Sequence, residues 1–237
     1  MLRDVRYKEA DRILTLLSPE LGKFTAKARG ALRKTSRTGA ATQQLCYGEM
    51  TLFQNKGKWT VNEATVIEQF DGLREDIEAY ALSCYFAECL DSFLPEDQPE
   101  PAMLQLCLNS LYALSRHLYD RTLIKAAFEL RLMCLCGYTP DLGVCPVCGR
   151  REIERPVFSL SDGHVFCREC GQSGGLLPLD RPALEAMRYV CAAPAKQLFS
   201  FTLDRASLES LAHGCERYLL TQAERGFGTL DYYKQFR

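Results

Sequence analysis

The chain has 237 residues, enough to bury the core of one large domain or of two smaller ones. Its 47% hydrophobic and 25% charged residues are ordinary globular values, which excludes a disordered chain. No apolar run is long enough to span a bilayer and no basic-then-apolar leader follows Met1, so a cytoplasmic protein with no membrane partner is expected. The net charge of −1 conceals an asymmetry: residues 1–70 carry 12 basic against 7 acidic side chains, and residues 71–140 carry 5 against 11. Two surfaces with different partners are therefore expected.

Residues 13–17, 24–29, 45–53 and 59–67 are short, often alternating runs that predict strands. Gly22, Gly30, Gly39 and the turn at 55–57 separate them, so residues 1–70 read as a small barrel or sheet. From Asp71 the period changes. Leu73, Ile77, Tyr80, Ala81 and Cys84 predict an amphipathic helix ending before Pro95. Residues 95–101 form an acidic, proline-bearing loop, and Cys107, Leu111, Leu114 and Leu118 mark a second helix. Residues 124–136 are apolar nearly all round, as in a helix at the centre of a bundle, and Gly137 and Pro140 stop it. Strand-like pieces at 156–160 and 164–166 follow, and the stretch from Ser173 to Pro178 returns the chain to helices. Asp180 caps one running to about Cys191, and Asp204 another running to about Gln222. The expected class is thus α+β, with residues 71–237 forming a helical domain that carries a cysteine module at about 141–176.

Most of the twelve cysteines, among them Cys84, Cys89, Cys107, Cys134 and Cys136, sit singly within apolar helical patterns, which fits a reducing compartment. Four differ. Cys145-Pro-Val-Cys148 and Cys167-Arg-Glu-Cys170 are two C-x-x-C turns with 18 residues between them, the spacing of a zinc ribbon or treble-clef-like knuckle. Each turn aims two thiolates at one point, and two turns complete the closed tetrahedron preferred by structural Zn²⁺. Gly149 and Gly171 follow the two pairs and suit tight backbone. A saturated thiolate site points to scaffolding and away from hydrolysis by metal-bound water. The competing readings are a redox pair and unrelated buried thiols. His164 is a spare ligand, read as a solvent-facing turn residue.

Between Lys23 and Arg37 there are six basic side chains, Lys23, Lys27, Arg29, Arg33, Lys34 and Arg37, and no acidic one. Period-two alternation turns Phe24, Ala26 and Ala28 inward and puts Lys23, Lys27 and Arg29 on the opposite face. The loop that follows, with Arg33-Lys34-Thr35-Ser36-Arg37, suits phosphate binding. The alternative is an ordinary solvated strand face. Tyr47, Phe53 and Trp59 are candidate stacking faces, although core packing is the reading adopted for Phe53 and Trp59. Glu9, Asp11 and Arg12 read as a surface ion-pair network. There is no phosphate loop, dinucleotide fingerprint, H-E-x-x-H or G-x-S-x-G elbow, and His117 and His213 are isolated, so no enzyme is indicated.

The order Tyr7-Lys8-Glu9-Ala10-Asp11-Arg12-Ile13-Leu14-Thr15-Leu16-Leu17, then Gly22-Lys23, then Ala28-Arg29-Gly30-Ala31, resembles the start of the RecO family of bacterial recombination mediators. Phe128-Glu129-Leu130-Arg131-Leu132-Met133, leading to Gly137-Tyr138-Thr139-Pro140 and then Cys145, resembles that family's central helix and entry to its zinc knuckle. The resemblance spans most of the chain and weakens after about Pro178. It implies an N-terminal oligonucleotide-binding (OB) barrel over residues 1–70, a helical domain with an inserted zinc module, and no enzymatic turnover. It also implies binding of single- and double-stranded DNA, annealing of complementary strands, contact with the single-strand binding protein, and help to RecR in loading RecA. Members of the family usually have several residues more before the position of Leu2, forming the first half of the first barrel strand, so either a shorter barrel edge or a mis-assigned start is expected. A zinc-containing RNA-binding module of another pathway is the alternative.

Overall fold

The computed structural model describes residues 1–171 and 175–236, and the chain divides into two compact units, one formed by Met1–Arg116 with Phe227–Arg237 and the other by His117–Gly226. The strands of the first are β1 (Arg3–Tyr7), β2 (Asp11–Ser18), β3 (Gly22–Ala28), β4 (Tyr47–Asn55) and β5 (Lys58–Glu68). Those of the second are β6 (Pro156–Ser159), β7 (Val165–Cys167) and β8 (Leu176–Pro178). The helices are α1 (Ile77–Phe93), α2 (Pro101–Ser115), α3 (Arg121–Leu135), α4 (Arg181–Ala192), α5 (Arg205–Ala223) and α6 (Gly228–Tyr233). The α+β class expected from the sequence is what the chain adopts.

In the first unit the strand order is β1-β2-β3-β5-β4, with β3 parallel to β5 and the other pairs antiparallel. This is the OB-fold order, but no β1–β4 ladder closes it among the described residues, so the sheet is open where a closed barrel was expected. At that seam Leu45 donates its amide to the Met1 carbonyl at 3.0 Å, and Leu2 donates to Thr15 at 3.0 Å. The chain start thus reaches from the β2 edge to the segment before β4. Alternation along β3 is as expected: Phe24, Ala26 and Ala28 are buried with Leu14, Leu16, Ala31 and Val61. Trp59 packs at the rim of this core, edge-to-face with Phe24 at 6.2 Å.

Phe53 corrects the core reading, being 63% exposed. Met50 and Leu52 pack on the core, and a strand that turns those two inward must turn Phe53 outward. β1 is the first barrel strand that the resemblance alone implied, because its burial is that of a largely exposed edge strand and leaves no apolar alternation to read. Gly22 has φ +68, and a Cβ there would stand 1.7 Å from the Gln98 carbonyl oxygen, so only glycine lets the 95–101 loop lie against the start of β3.

Asp76 caps α1 by accepting from the amides of Glu78 and Ala79, both at 3.1 Å. The buried face follows the expected one only in part: Ala81 and, before the helix, Leu73 are buried and Cys84 partly so, but Ile77 and Tyr80 are exposed, and Ala79, Leu82, Tyr85, Phe86, Cys89 and Leu90 complete the buried side. Helix α2 ends at Ser115, so Leu118 lies outside it and is exposed. The unforeseen α6 returns to α1, where Phe227 meets Tyr85 edge-to-face at 5.8 Å and the Thr229 amide donates to a Glu88 carboxylate oxygen at 3.0 Å.

In the second unit α3 packs against both α4 and α5, and it is buried all round as its composition predicts. Asp180 and Asp204 cap α4 and α5, accepting from the amides of Ala183 at 2.7 Å and Ser207 at 3.0 Å. A three-stranded sheet, β7-β6-β8, carries the cysteine module. Residues 176–178 of the stretch expected to lead back to the helices form β8, and Ser173 lies outside the described residues.

Candidate metal centre and nucleic-acid interface

The first cysteine turn is closed by the Gly149 amide donating to the Cys145 carbonyl at 2.8 Å and the Cys145 amide donating to Arg150 at 2.9 Å. Gly149 has φ +70, which its lack of a side chain permits. The second turn leaves β7, where the amides of Cys170 and Gly171 donate to the Cys167 carbonyl at 3.0 and 2.9 Å. A Cβ on Gly171 would stand 2.6 Å from a Val157 methyl and 2.7 Å from a Leu176 methyl, so this turn sits directly on β6 and β8.

The two turns bring the sulfurs of Cys145, Cys148, Cys167 and Cys170 within 4.8 Å of one another, with Cys148 and Cys167 at 3.5 Å. Four thiolates about 2.3 Å from one ion stand about 3.8 Å apart, so the donor set fits a tetrahedral metal. Its electrostatics agree. Burial pushes the Cys145 thiol up, but the amides of Cys167, Cys148 and Val147 outweigh burial and hold it down at about 6. Burial and the neighbouring sulfurs push Cys167 up to about 12, and the Cys148 contact with burial pushes Cys170 up to about 11. Cys145 ionises readily while Cys167 and Cys170 resist, and a bound dication would offset that resistance by favouring the thiolates. His164 is not in the cluster; it is half-buried in an isolated bridge with Asp141, with Nδ1 unpartnered, where a solvent-facing turn was expected.

The module is anchored by residues the sequence did not single out. Arg188 of α4 donates Nε to the Leu142 carbonyl at 2.8 Å and Nη2 to those of Gly143 and Arg151, both at 3.3 Å. From α5, the Tyr218 hydroxyl donates to the Tyr138 carbonyl at 3.0 Å and Gln222 Nε2 to Leu160 at 2.8 Å. These partners stand 37 to 80 positions apart, and a partly exposed helical arginine has no local signature.

The six basic residues fall into two groups. Lys23 is turned inward: its Nζ is 2.5 Å from the Asp91 carbonyl oxygen and 3.5 Å from that residue's carboxylate, and its side chain is 11% exposed. Lys27 binds Asp11 at 2.8 Å and lies 4.9 Å from the Tyr7 ring centroid. That bond, then the Gly30 amide, draws the Asp11 carboxyl below its usual value. Arg29, Arg33, Lys34 and Arg37 are exposed on the segment after β3, and none of them has an ion-pair partner among the described residues. The segment is tied down by the Leu32 amide on Ala10 at 2.9 Å and by Arg12 Nη1 on the Thr42 carbonyl at 2.5 Å. Arg12 also pairs with Asp4 at 3.4 Å. No helix among the described residues is long and apolar enough to cross a membrane.

Together these features define a class: an α+β protein with an OB-type sheet, an exposed cationic segment on it, and a separate four-cysteine module set among helices. The family model described as "Recombination protein O N terminal" matches residues 1–70, and "Recombination protein O C terminal" matches residues 74–231. A DNA repair protein RecO of Acetivibrio thermocellus is 34% identical over 99% of this chain and 94% of its own length. Those of Symbiobacterium thermophilum and Caldicellulosiruptor saccharolyticus are 30% and 27% identical, each over at least 99% of this chain and 95% of their own lengths. The chain belongs to the RecO family of DNA repair proteins.

Proposed function

We propose that this chain is a non-enzymatic mediator of DNA repair and homologous recombination, in which residues 1–70 capture DNA and residues 71–237 form a helical domain around a zinc module at about 141–176. The observation that carries the reading is the run Arg29, Arg33, Lys34 and Arg37, exposed on one segment of an OB-type sheet. Phosphates bind such a run by charge and counterion release, with no sequence preference. Lys23 and Lys27, with their ammonium groups held by Asp91 and Asp11, shape the edge of that surface and add to its potential. Tyr7 and Phe53, 43% and 63% exposed on the same sheet, are suitable stacking faces.

Holding two strands at once raises their effective concentration and favours annealing of complementary DNA. Family membership supports both single- and double-stranded DNA as ligands, the single-strand binding protein and RecR as partners, RecA loading as the outcome, and the cytoplasm as the place of action. Zn²⁺ suits Cys145, Cys148, Cys167 and Cys170, because a closed set of four thiolates is a structural zinc site. There it would hold β6, β7 and β8 together and leave no position for a reacting water.

The test is fluorescence anisotropy of labelled single-stranded DNA against salt, for the natural chain and for Arg29→Ala/Arg33→Ala/Lys34→Ala/Arg37→Ala. Four phosphate contacts give a log-log slope of about −3 for the natural chain and nearly zero for the variant. An unchanged slope removes DNA from this segment. Tighter binding of a matched RNA strand would favour the RNA-binding alternative.

A further inference from the structure

Cys134 lies in the last turn of α3 and Cys191 in the last turn of α4, with their sulfurs 3.6 Å apart. Both are half-buried and outside the four-cysteine cluster. We infer that Cys134 and Cys191 form a thiol-disulfide modification site that a small hydroperoxide oxidises and a dithiol reductant restores. The sulfurs are already near contact, so a bond of about 2.05 Å requires a closing movement of about 1.5 Å. Both sulfurs are only partly buried, so a small peroxide can reach them.

The surroundings distinguish the two sulfurs. Arg131, one turn before Cys134, places its guanidinium 2.5 Å from the carbonyls of both Val190 and Ala193, which bracket Cys191. The Thr139 hydroxyl donates to the Cys134 carbonyl at 3.4 Å. The contact with the Cys191 sulfur, helped by Thr139 and Arg131 against burial, brings Cys134 down to about 7. The same contact, with burial, pushes Cys191 up. In the proposed reaction Cys134, on losing its proton, is the attacking sulfur and Cys191 the thiol that resolves it.

The Cys134 thiolate attacks the terminal oxygen of ROOH, the O–O bond breaks, and RO⁻ leaves and takes a proton, giving ROH and a sulfenic acid on Cys134. The Cys191 sulfur then attacks that sulfenic sulfur and gives up its proton as the hydroxide leaves as water. Two thiols and one hydroperoxide thus become one disulfide, ROH and water. The new bond would join α3 to α4 and close a loop that contains Cys145, Cys148, Cys167 and Cys170, because the bonded positions are 57 apart and flank the module. The packing of α3 on α4 would then persist when oxidant attacks the cluster, and the unfolded chain would be constrained by a long loop.

The experiment treats the reduced, desalted full chain with limiting hydrogen peroxide, then maps peptides without reduction while released metal is followed with a chromogenic chelator. The expected result is a Cys134–Cys191 cross-linked peptide, lost on adding dithiothreitol, formed at doses below those that release metal, and accompanied by a higher Tm. In Cys191→Ser, Cys134 is expected to stop at a sulfenic acid that a cyclic diketone traps. Cys134 and Cys191 both remaining free thiols at doses that empty the cluster, or Cys134 joined to another cysteine such as Cys136, would overturn the inference.

Discussion

Lys125 Nζ lies 2.7 Å from Oε1 of Glu129, one turn further along α3, and both side chains are almost wholly buried. Glu216 of α5 approaches the same ammonium at 2.7 Å with its own side chain 16% exposed, so one cation holds two carboxylates between the helices. Replacing Lys125 by Met is expected to leave those carboxylates crowded and desolvated and to cost about 3–5 kcal/mol in a urea unfolding titration. A loss below about 1 kcal/mol would mean that the carboxylates find other partners or take up protons. Burial opposes the ammonium, but Glu129 and Glu216 outweigh it and raise the Lys125 pKa above its usual value. The group's contribution is therefore fully present below the unfolded pKa of about 10.4 and fades only as pH rises through the higher folded value. Melting between pH 6 and 9 is expected to show no titration from Lys125.

Metal removal is expected to act on the second unit. With any bound ion stripped by a strong chelator, the module keeps short strands, the backbone bonds of its turns and the Arg188, Tyr218 and Gln222 anchors, so the chain should lose part of its cooperative melt. Cys170→Ser should behave as a partial chelation, retaining less metal per chain after gel filtration. Full metal content in that variant would argue that three thiolates suffice.

Arg188→Ala deletes three bonds to the Leu142, Gly143 and Arg151 carbonyls without touching a cysteine. Hydrogen bonds from a charged donor contribute roughly 1.5–3 kcal/mol, less where partly exposed, as this side chain is at 26%. Faster transfer of metal to a competing chelator is expected, by about 10-fold. An unchanged transfer rate would show that the cysteine turns are held by their own backbone bonds.

Phe24→Ala and Phe53→Ala separate packing from surface. Phe24 is 3% exposed at the centre of the sheet's core, and its truncation should cost about 3–5 kcal/mol. Phe53 at 63% exposure should cost less than about 0.5 kcal/mol. If it stacks on a base, its loss should weaken single-stranded DNA binding by about 1–3 kcal/mol, read in the same anisotropy assay. Equal DNA affinity in the natural chain and Phe53→Ala would limit its role to an exposed strand position.

Much of the fold was legible because its signals are local. The alternation of Phe24, Ala26 and Ala28 marks a half-buried strand, and Asp180 and Asp204 mark helix starts through bonds to amides three residues on. β1 and α6 were not legible in the residue pattern: the first, implied by the resemblance alone, is largely exposed, and the second is six residues long and ordered by contacts with Tyr85 and Glu88 far back in the chain. Phe53 could have been placed by the same alternation that puts Met50 and Leu52 on the core, but aromatic character suggested burial.

The sequence by itself determined the four cysteines, because a C-x-x-C turn positions its two sulfurs through backbone geometry over a few residues. It also determined the basic run from Lys23 to Arg37, since charge composition needs no fold. Only the tertiary structure decided which of those cations are exposed, turning Lys23 to Asp91 and Lys27 to Asp11 while leaving Arg29, Arg33, Lys34 and Arg37 unpaired by carboxylates among the described residues. It alone decided that Cys134 meets Cys191 and that Arg188 holds the cysteine module, because these contacts join positions more than 30 apart through helix packing. Such pairings arise when apolar helix faces are buried together, and which side chains then meet depends on how the helices pack, which no local pattern encodes.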